Sequence, residues 1–213
     1  MSPEAHARLI ASAIPNPGPE TTRYVVAIAG PPAAGKSTLA EAVVQQLGGR
    51  AGVLGMDAFH FDNQILEARG QLARKGSPQT FDVASYAMTL ATLRQDRSLE
   101  LSVPVFDRSL EVSRNCASLI RVDQDVIVTE GNYLLLRDGP WPSLRPLFDL
   151  TVWIDISMDT VEDRIVQRWE SAGFEDVEVR RRVEENDLPN ARVVHTGSVE
   201  ADLVVRTNLE SSS

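Results

Sequence analysis

The sequence predicts an α/β fold in three layers, with a mainly parallel sheet and helices on both faces. Three observations predict it. The stretches Tyr24–Ala29, Gly52–Asp57, Asp125–Glu130 and Leu150–Asp155 are almost continuously apolar, as strands buried on two sides are. Segments with helical spacing alternate with them. Residues 30–38, Gly-Pro-Pro-Ala-Ala-Gly-Lys-Ser-Thr, fill the pattern G-x-x-x-x-G-K-[ST] at each fixed position, between a strand and a helix. That motif makes the expected architecture the P-loop NTPase fold.

Composition sets outer limits. A chain of 213 residues that is 43% hydrophobic can bury one substantial core, so residues 1–213 are read as a single domain. No apolar run approaches the ~20 residues that cross a bilayer. The start, Met-Ser-Pro-Glu-Ala-His, lacks the basic-then-apolar order of a secretory signal. Cys116 is the only cysteine, which rules out an internal disulfide framework and a cysteine-cluster zinc site. A cytoplasmic address and no membrane partner are expected. The net charge of −9 argues against a general nucleic-acid surface. Its 21 Lys and Arg must then be placed locally wherever an anionic ligand binds.

Each element has a local reason. Ser2 caps a helix over 3–14 with Pro3 in its first turn, the core of an N-terminal arm (1–20) whose role is packing or a dimer contact. Pro15–Pro19 breaks it. Tyr24–Ala29 is the first strand. After the glycine loop, Leu39, Val43, Val44 and Leu47 recur at helical spacing. Gly52–Asp57 is the second strand, ending in a carboxylate. Residues 60–81 are polar and irregular, a length without periodicity that marks function or mobility. Asp82 caps a helix to Arg94, with Val83, Tyr86, Leu90 and Leu93 on one stripe. Pro104 puts Leu101–Asp107 at a sheet edge. Asp125–Glu130 and Leu150–Asp155 are further strands. Ser157 caps a helix to Ala172 that stops at Gly173, and a second runs over about 176–185. Leu203–Arg206 closes the sheet, and Ser211–Ser213 fray.

The loop's chemistry follows from its residue types. Gly30 and Gly35 let the backbone of residues 30–38, with Ala33, Ala34 and Thr38, turn its N–H groups onto a triphosphate. Lys36 reaches the β/γ-phosphates, and the Ser37 hydroxyl can ligate Mg²⁺. Glu130 ends an apolar strand as a Walker-B carboxylate does, and suits the same metal. The glycine loop, Asp57 and Glu130 fall at the carboxyl ends of strands, where parallel sheets bind ligands. ATP and Mg²⁺ are therefore the expected cofactors. A guanine-nucleotide switch is excluded, because no Asp precedes a Gly by three residues and no Asn-Lys-x-Asp occurs. The transporter signature Leu-Ser-Gly-Gly-Gln is absent as well. What remains is transfer of a γ-phosphoryl group to a small acceptor.

Four blocks sharpen this: Met56-Asp-Ala-Phe-His60, Lys75-Gly-Ser-Pro-Gln-Thr-Phe-Asp82, Pro104-Val-Phe-Asp107 and Glu130-Gly-Asn-Tyr133. With them, residues 23–206 resemble the family of uridine kinase, phosphoribulokinase and bacterial type I pantothenate kinase. The second and third blocks are most like pantothenate kinase. The whole chain resembles the bacterial nucleoside-kinase-like, fructose-transport-associated kinases, including Glu-Asn-Asp-x-Pro-Asn-Ala at 185–191. The resemblance implies a catalytic aspartate at Asp57, consistent with a carboxylate that orients a hydroxyl and takes its proton. It implies lid arginines at Arg164 and Arg168, four apart on one helix face, with Arg168 preferred, and a small lid region over 157–190. The alternative for the pair is a solvated face neutralised by Asp159, Glu162 or Asp163.

The resemblance also sets His60, Arg74, Lys75, Asp107 and Arg108 around the acceptor, and Asn186 and Asn190 at the border of nucleotide or acceptor. Those cations suit an acidic or phosphorylated acceptor, or equally ATP itself. Arg180–Arg182 reads as a surface helix with ion pairs to Glu178, Glu184 and Glu185, each worth ~0.3–0.5 kcal/mol. His6 and His195 carry no assignment. The expected activity is phosphorylation of an alcohol group on a small molecule, a sugar or nucleoside, with pantothenate-like acids second. A nucleotide-binding regulatory protein with weak ATPase activity is the alternative from another class. The family makes a homodimer plausible.

Overall fold

The computed structural model describes residues 2–16 and 22–206. Along the chain lie α1 (Pro3–Ala13), β1 (Tyr24–Ala29), α2 (Lys36–Gln46), β2 (Ala51–Gly55), α3 (Asn63–Ala68) and α4 (Val83–Gln95). They are followed by β3 (Leu101–Asp107), β4 (Val112–Ile120), β5 (Val126–Gly131), β6 (Leu150–Asp155), α5 (Met158–Ser171), α6 (Asp176–Arg182), α7 (Leu188–Gly197) and β7 (Leu203–Arg206). Five parallel strands form one sheet in the order β2-β5-β1-β6-β7. β3 and β4 form a separate antiparallel ribbon.

The sheet separates two cores. On β1, Val26 and Ile28 face the core shared with Ile10 of α1, Val43 of α2 and Ile165 of α5. Val25, Ala27 and Ala29 face the opposite core, with Leu90 of α4, Tyr133 and Trp141. That two-sided burial is why the strand sequence is apolar at each position rather than alternating. The architecture is the expected three-layer α/β fold with a mainly parallel sheet. The N-terminal arm packs on this framework: Ala7 and Ile10 are buried, and α1 lies along α2.

Four elements differ from the sequence reading. The second strand ends at Gly55, and Met56–Phe59 form a single 3₁₀ turn that carries Asp57 over β5. The turn fits because Gly131 has no side chain: a Cβ there would stand 2.4 Å from the Met56 Cβ. Residues 60–81 contain α3, capped by Asp62, which buries only Leu66 and so shows no apolar stripe. β4 is almost wholly exposed, so its polar residues carry no strand signal, yet it pairs with β3. Helix α6 continues through a π-turn, Val183–Asp187, into α7, with Pro189 at an early position that tolerates it. Most of the Pro15–Pro19 linker and all of Ser211–Ser213 lie outside the described residues.

One buried charge anchors the ribbon. Arg23, 2% exposed, donates to the carbonyl oxygens of Leu93 (2.7 Å), Asp96 (2.7 Å), Leu99 (3.1 Å), Arg121 (3.2 Å) and Gln124 (2.9 Å). It therefore ties the end of α4 to both roots of the β3–β4 ribbon.

Candidate phosphoryl-transfer site

Glycine geometry shapes the phosphate loop. Gly35 adopts φ +91° immediately before α2, and Ala33 also sits at positive φ, +58°. Gly30 serves a different purpose, close packing: a Cβ would lie 3.2 Å from that of Ile154. Gly35, Ser37 and Thr38 are open to solvent, while Ala34 and Lys36 are buried. Lys36 Nζ donates to the Pro31 carbonyl (2.9 Å) and to Asn132 Oδ1 (2.6 Å), so its head is held over the loop. Burial pushes the Lys36 pKa down, and the carboxylates of Glu130 and Asp57 oppose that shift. Ser37 Oγ donates to Glu130 Oε1 at 3.2 Å. Burial raises the Glu130 pKa, and the charge of Asp57 raises it further. An oxygen pair on a desolvated carboxylate fits a hard cation such as Mg²⁺, which completes its shell with water and phosphate oxygens.

The second flank carries Asp57. Its Oδ2 accepts from Arg108 Nη2 at 2.9 Å, across from the tip of the β3–β4 ribbon. His60 Nδ1–H donates to the Asp57 carbonyl at 2.8 Å, and its ring packs at a tilt against Phe81 and Phe106, with centroid distances of 4.0 and 4.9 Å. Burial lowers the His60 pKa, opposed by the charge and the carbonyl of Asp57. Lys75 Nζ donates to Asn63 Oδ1 (2.9 Å) and to the Glu111 carbonyl (2.5 Å). Asp107 instead builds the ribbon's turn, accepting from the backbone of Ser109 and Leu110 and pairing with Arg114 at 3.5 Å.

Residues 157–190, expected to form a lid, contact both flanks. Arg164 Nη1 donates to the Ala33 carbonyl of the phosphate loop at 3.0 Å. Arg168 instead pairs with Asp187 (3.5 Å), which also accepts from the Trp169 indole (2.7 Å). Asn186 Nδ2 donates to the Lys75 carbonyl at 3.0 Å, and Arg74 donates to Asn190 Oδ1 (3.4 Å) and to the Glu185 carbonyl. Arg181 and Arg182 both pair with Glu178, and Arg181 with Glu185, so this run is a surface helix. The predicted Arg180–Glu184 pair is not among the ion pairs of the described residues.

The structure thus brings the glycine loop, Glu130 and Asp57 to one end of neighbouring strands, with His60 and Arg108 in contact with Asp57 and Lys75 in the cleft that His60 lines. Sequence reasoning missed Asn132 and Asp187. Asn132 follows Glu130 by two residues, a position visible only as part of the Glu-Gly-Asn-Tyr block. Asp187 is legible only once the π-turn is known.

Known proteins resemble this chain in sequence and fold. The chain is 31% identical over 193 residues to the uncharacterized protein YggC of Escherichia coli (strain K12), covering 88% of this chain and 79% of that one. It is 28% identical over 153 residues to a pantothenate kinase of Corynebacterium diphtheriae, covering 68% of this chain but only 48% of the relative's length. A crystal structure from Silicibacter sp. TM1040, titled a "putative fructose transport system kinase", superposes with a TM-score of 0.85 at 35% identity, covering 96% of this chain and 99% of the other. The match to the phosphoribulokinase / uridine kinase family runs over residues 25–206. It spans the sheet from first strand to last, so this chain belongs to that family of P-loop kinases.

Proposed function

We propose that residues 1–213 form one kinase domain that transfers the γ-phosphoryl group of Mg²⁺-ATP to a hydroxyl of a small metabolite, a sugar or nucleoside. One observation carries this reading. The glycine loop after β1, Glu130 on β5 and Asp57 after β2 occupy the same end of three adjacent strands. The donor phosphates and the carboxylate meant for the acceptor therefore share one crevice.

In this reading Lys36 and the backbone amides of residues 33–38 hold the phosphates. Ser37 and Glu130 would hold Mg²⁺, which when bound neutralises charge on the β- and γ-oxygens. Asp57 leaves Arg108, orients the acceptor hydroxyl and takes its proton. The acceptor oxygen forms a bond to the γ-phosphorus, and the bond to the β–γ bridging oxygen breaks with its electron pair leaving on ADP. Arg168, released from Asp187, or Arg164 covers the charge developing on that oxygen.

The test is ADP release across nucleosides, fructose and other sugars, sugar phosphates and pantothenate. Acceptor-dependent turnover is the expected result. Slow ADP release indifferent to every acceptor would instead make the chain a nucleotide-binding regulator.

A further inference from the structure

The cleft beside Asp57 holds a cation that the protein neutralises poorly. Lys75 is only 16% exposed at its side chain, and its Nζ lies 5.4 Å from the centre of the Phe106 ring. Its close partners are neutral, the Asn63 amide oxygen and the Glu111 carbonyl. The nearest paired carboxylate, that of Glu111, is 3.9 Å away and 62% exposed. A contact of that length and exposure compensates little of the cost of withdrawing an ammonium from water. Asp62 also lines the cleft, but its carboxylate accepts from Gln64 N at 2.9 Å as the cap of α3. An ammonium has three donors, and the two hydrogen bonds found among the described residues leave one.

The cleft adjoins the reaction centre. His60, which lines it with Lys75, is bonded through Nδ1 to the Asp57 carbonyl. Ser113, which also lines it, donates to the carbonyl of Ala58, the residue after Asp57. A second cation, Arg108, is 64% exposed and paired with Asp57 itself. Arg108 thus pairs with the carboxylate directly, and Lys75 shares the adjoining cleft with His60, in a chain whose net charge is −9.

We infer that the acceptor carries an anionic group, a carboxylate or a phosphate, which binds Lys75 in this cleft while its hydroxyl meets Asp57. The inference rests on the kinase reading and narrows it from sugars or nucleosides in general to acceptors that bear an acid. Arg108, displaced from Asp57 as the hydroxyl arrives, gains a new anionic partner in the same step.

Matched acceptors test it: gluconate against glucose, pantothenate against pantothenol, and fructose 6-phosphate against fructose. The acid member of at least one pair is expected to exceed its neutral partner about 10-fold or more in kcat/KM, the scale of one charge-assisted hydrogen bond. Whether a carboxylate or the phosphate pair shows the gap identifies the anion. Lys75→Met should close that gap through KM, and Lys75→Arg should keep most of it. Equal use of neutral partners, or a gap that survives Lys75→Met, overturns the inference and leaves the kinase reading intact. If no acceptor raises ADP release, the kinase reading fails. Calorimetric titration of gluconate, pantothenate and fructose 6-phosphate onto the protein with a non-hydrolysable ATP analogue then decides the cleft alone. Heat lost in Lys75→Met supports an anion site, and its absence in the unaltered protein refutes one.

Discussion

Asp57 and Arg108 meet at 2.9 Å across the gap between the sheet and the tip of the β3–β4 ribbon. The carboxylate assigned to the acceptor is thus held by a side chain that is itself mostly in solvent. Such a pair contributes at most about 1 kcal/mol to stability, so the contact opens at little cost.

Asp57→Asn should keep ATP binding and lower kcat by about 10²–10⁴-fold, the usual contribution of a positioned base. Steady-state turnover with equilibrium nucleotide binding checks this. Unchanged turnover would remove Asp57 from the mechanism.

Glu130→Gln should cut metal affinity about 10–100-fold and yet stabilise the fold. Burial and the charge of Asp57 raise the Glu130 pKa. A carboxylate raised in the folded state costs stability once both states are ionised. That cost disappears as pH falls below the unfolded value near 4.5. Melting curves should therefore show the variant above the unaltered protein at neutral pH and level with it below pH 4.5. An equal gap at every pH would separate the effect from ionisation.

Arg168→Ala should lower kcat by about 10²–10³-fold, as loss of one transition-state donor does. Arg164→Ala should act more on nucleotide binding, because Arg164 already contacts the phosphate loop. Separate kcat and KM values for ATP distinguish the two. Matching profiles for both variants would contradict this division of labour.

Arg23→Met should destabilise without touching chemistry. It leaves several carbonyl oxygens unpaired at the roots of the ribbon, two of them at 2.7 Å from the lost guanidinium. A cost of ~3 kcal/mol lowers the melting temperature by roughly 6–12 °C in a chain of this size. A melting temperature within a degree or two of the unaltered protein would show that water replaces the guanidinium.

Much of this was readable in the chain because the signals were local. Strand β1, the glycine loop and α2 are adjacent in sequence, and the two-sided burial of the sheet writes itself as apolar runs. Asp82 and Ser157 mark their helices because a cap needs only its own next turn. What stayed hidden depended on distant partners. Strand β4 is stabilised by its pairing with β3 rather than by burial, so its sequence reads as loop. Asp57 reaches its place because Gly131, on another strand, leaves room for Met56. The contacts of Asn186 and Asn190 with Arg74 and Lys75 span more than a hundred residues, and no periodicity reports such a pairing.

The turn at Val183–Asp187 winds wider than its neighbours and so carries spare length between α6 and α7. In a regular α-helix one extra residue turns everything after it by ~100°, and the wider turn here absorbs that rotation locally. Tightening these five residues to about 3.6 per turn, with none removed, would swing Asn190 away from Arg74, although no atom of either had been altered. The winding of this one coil, more than the identity of any side chain, keeps Asn186 and Asn190 on the face that meets Lys75 and Arg74.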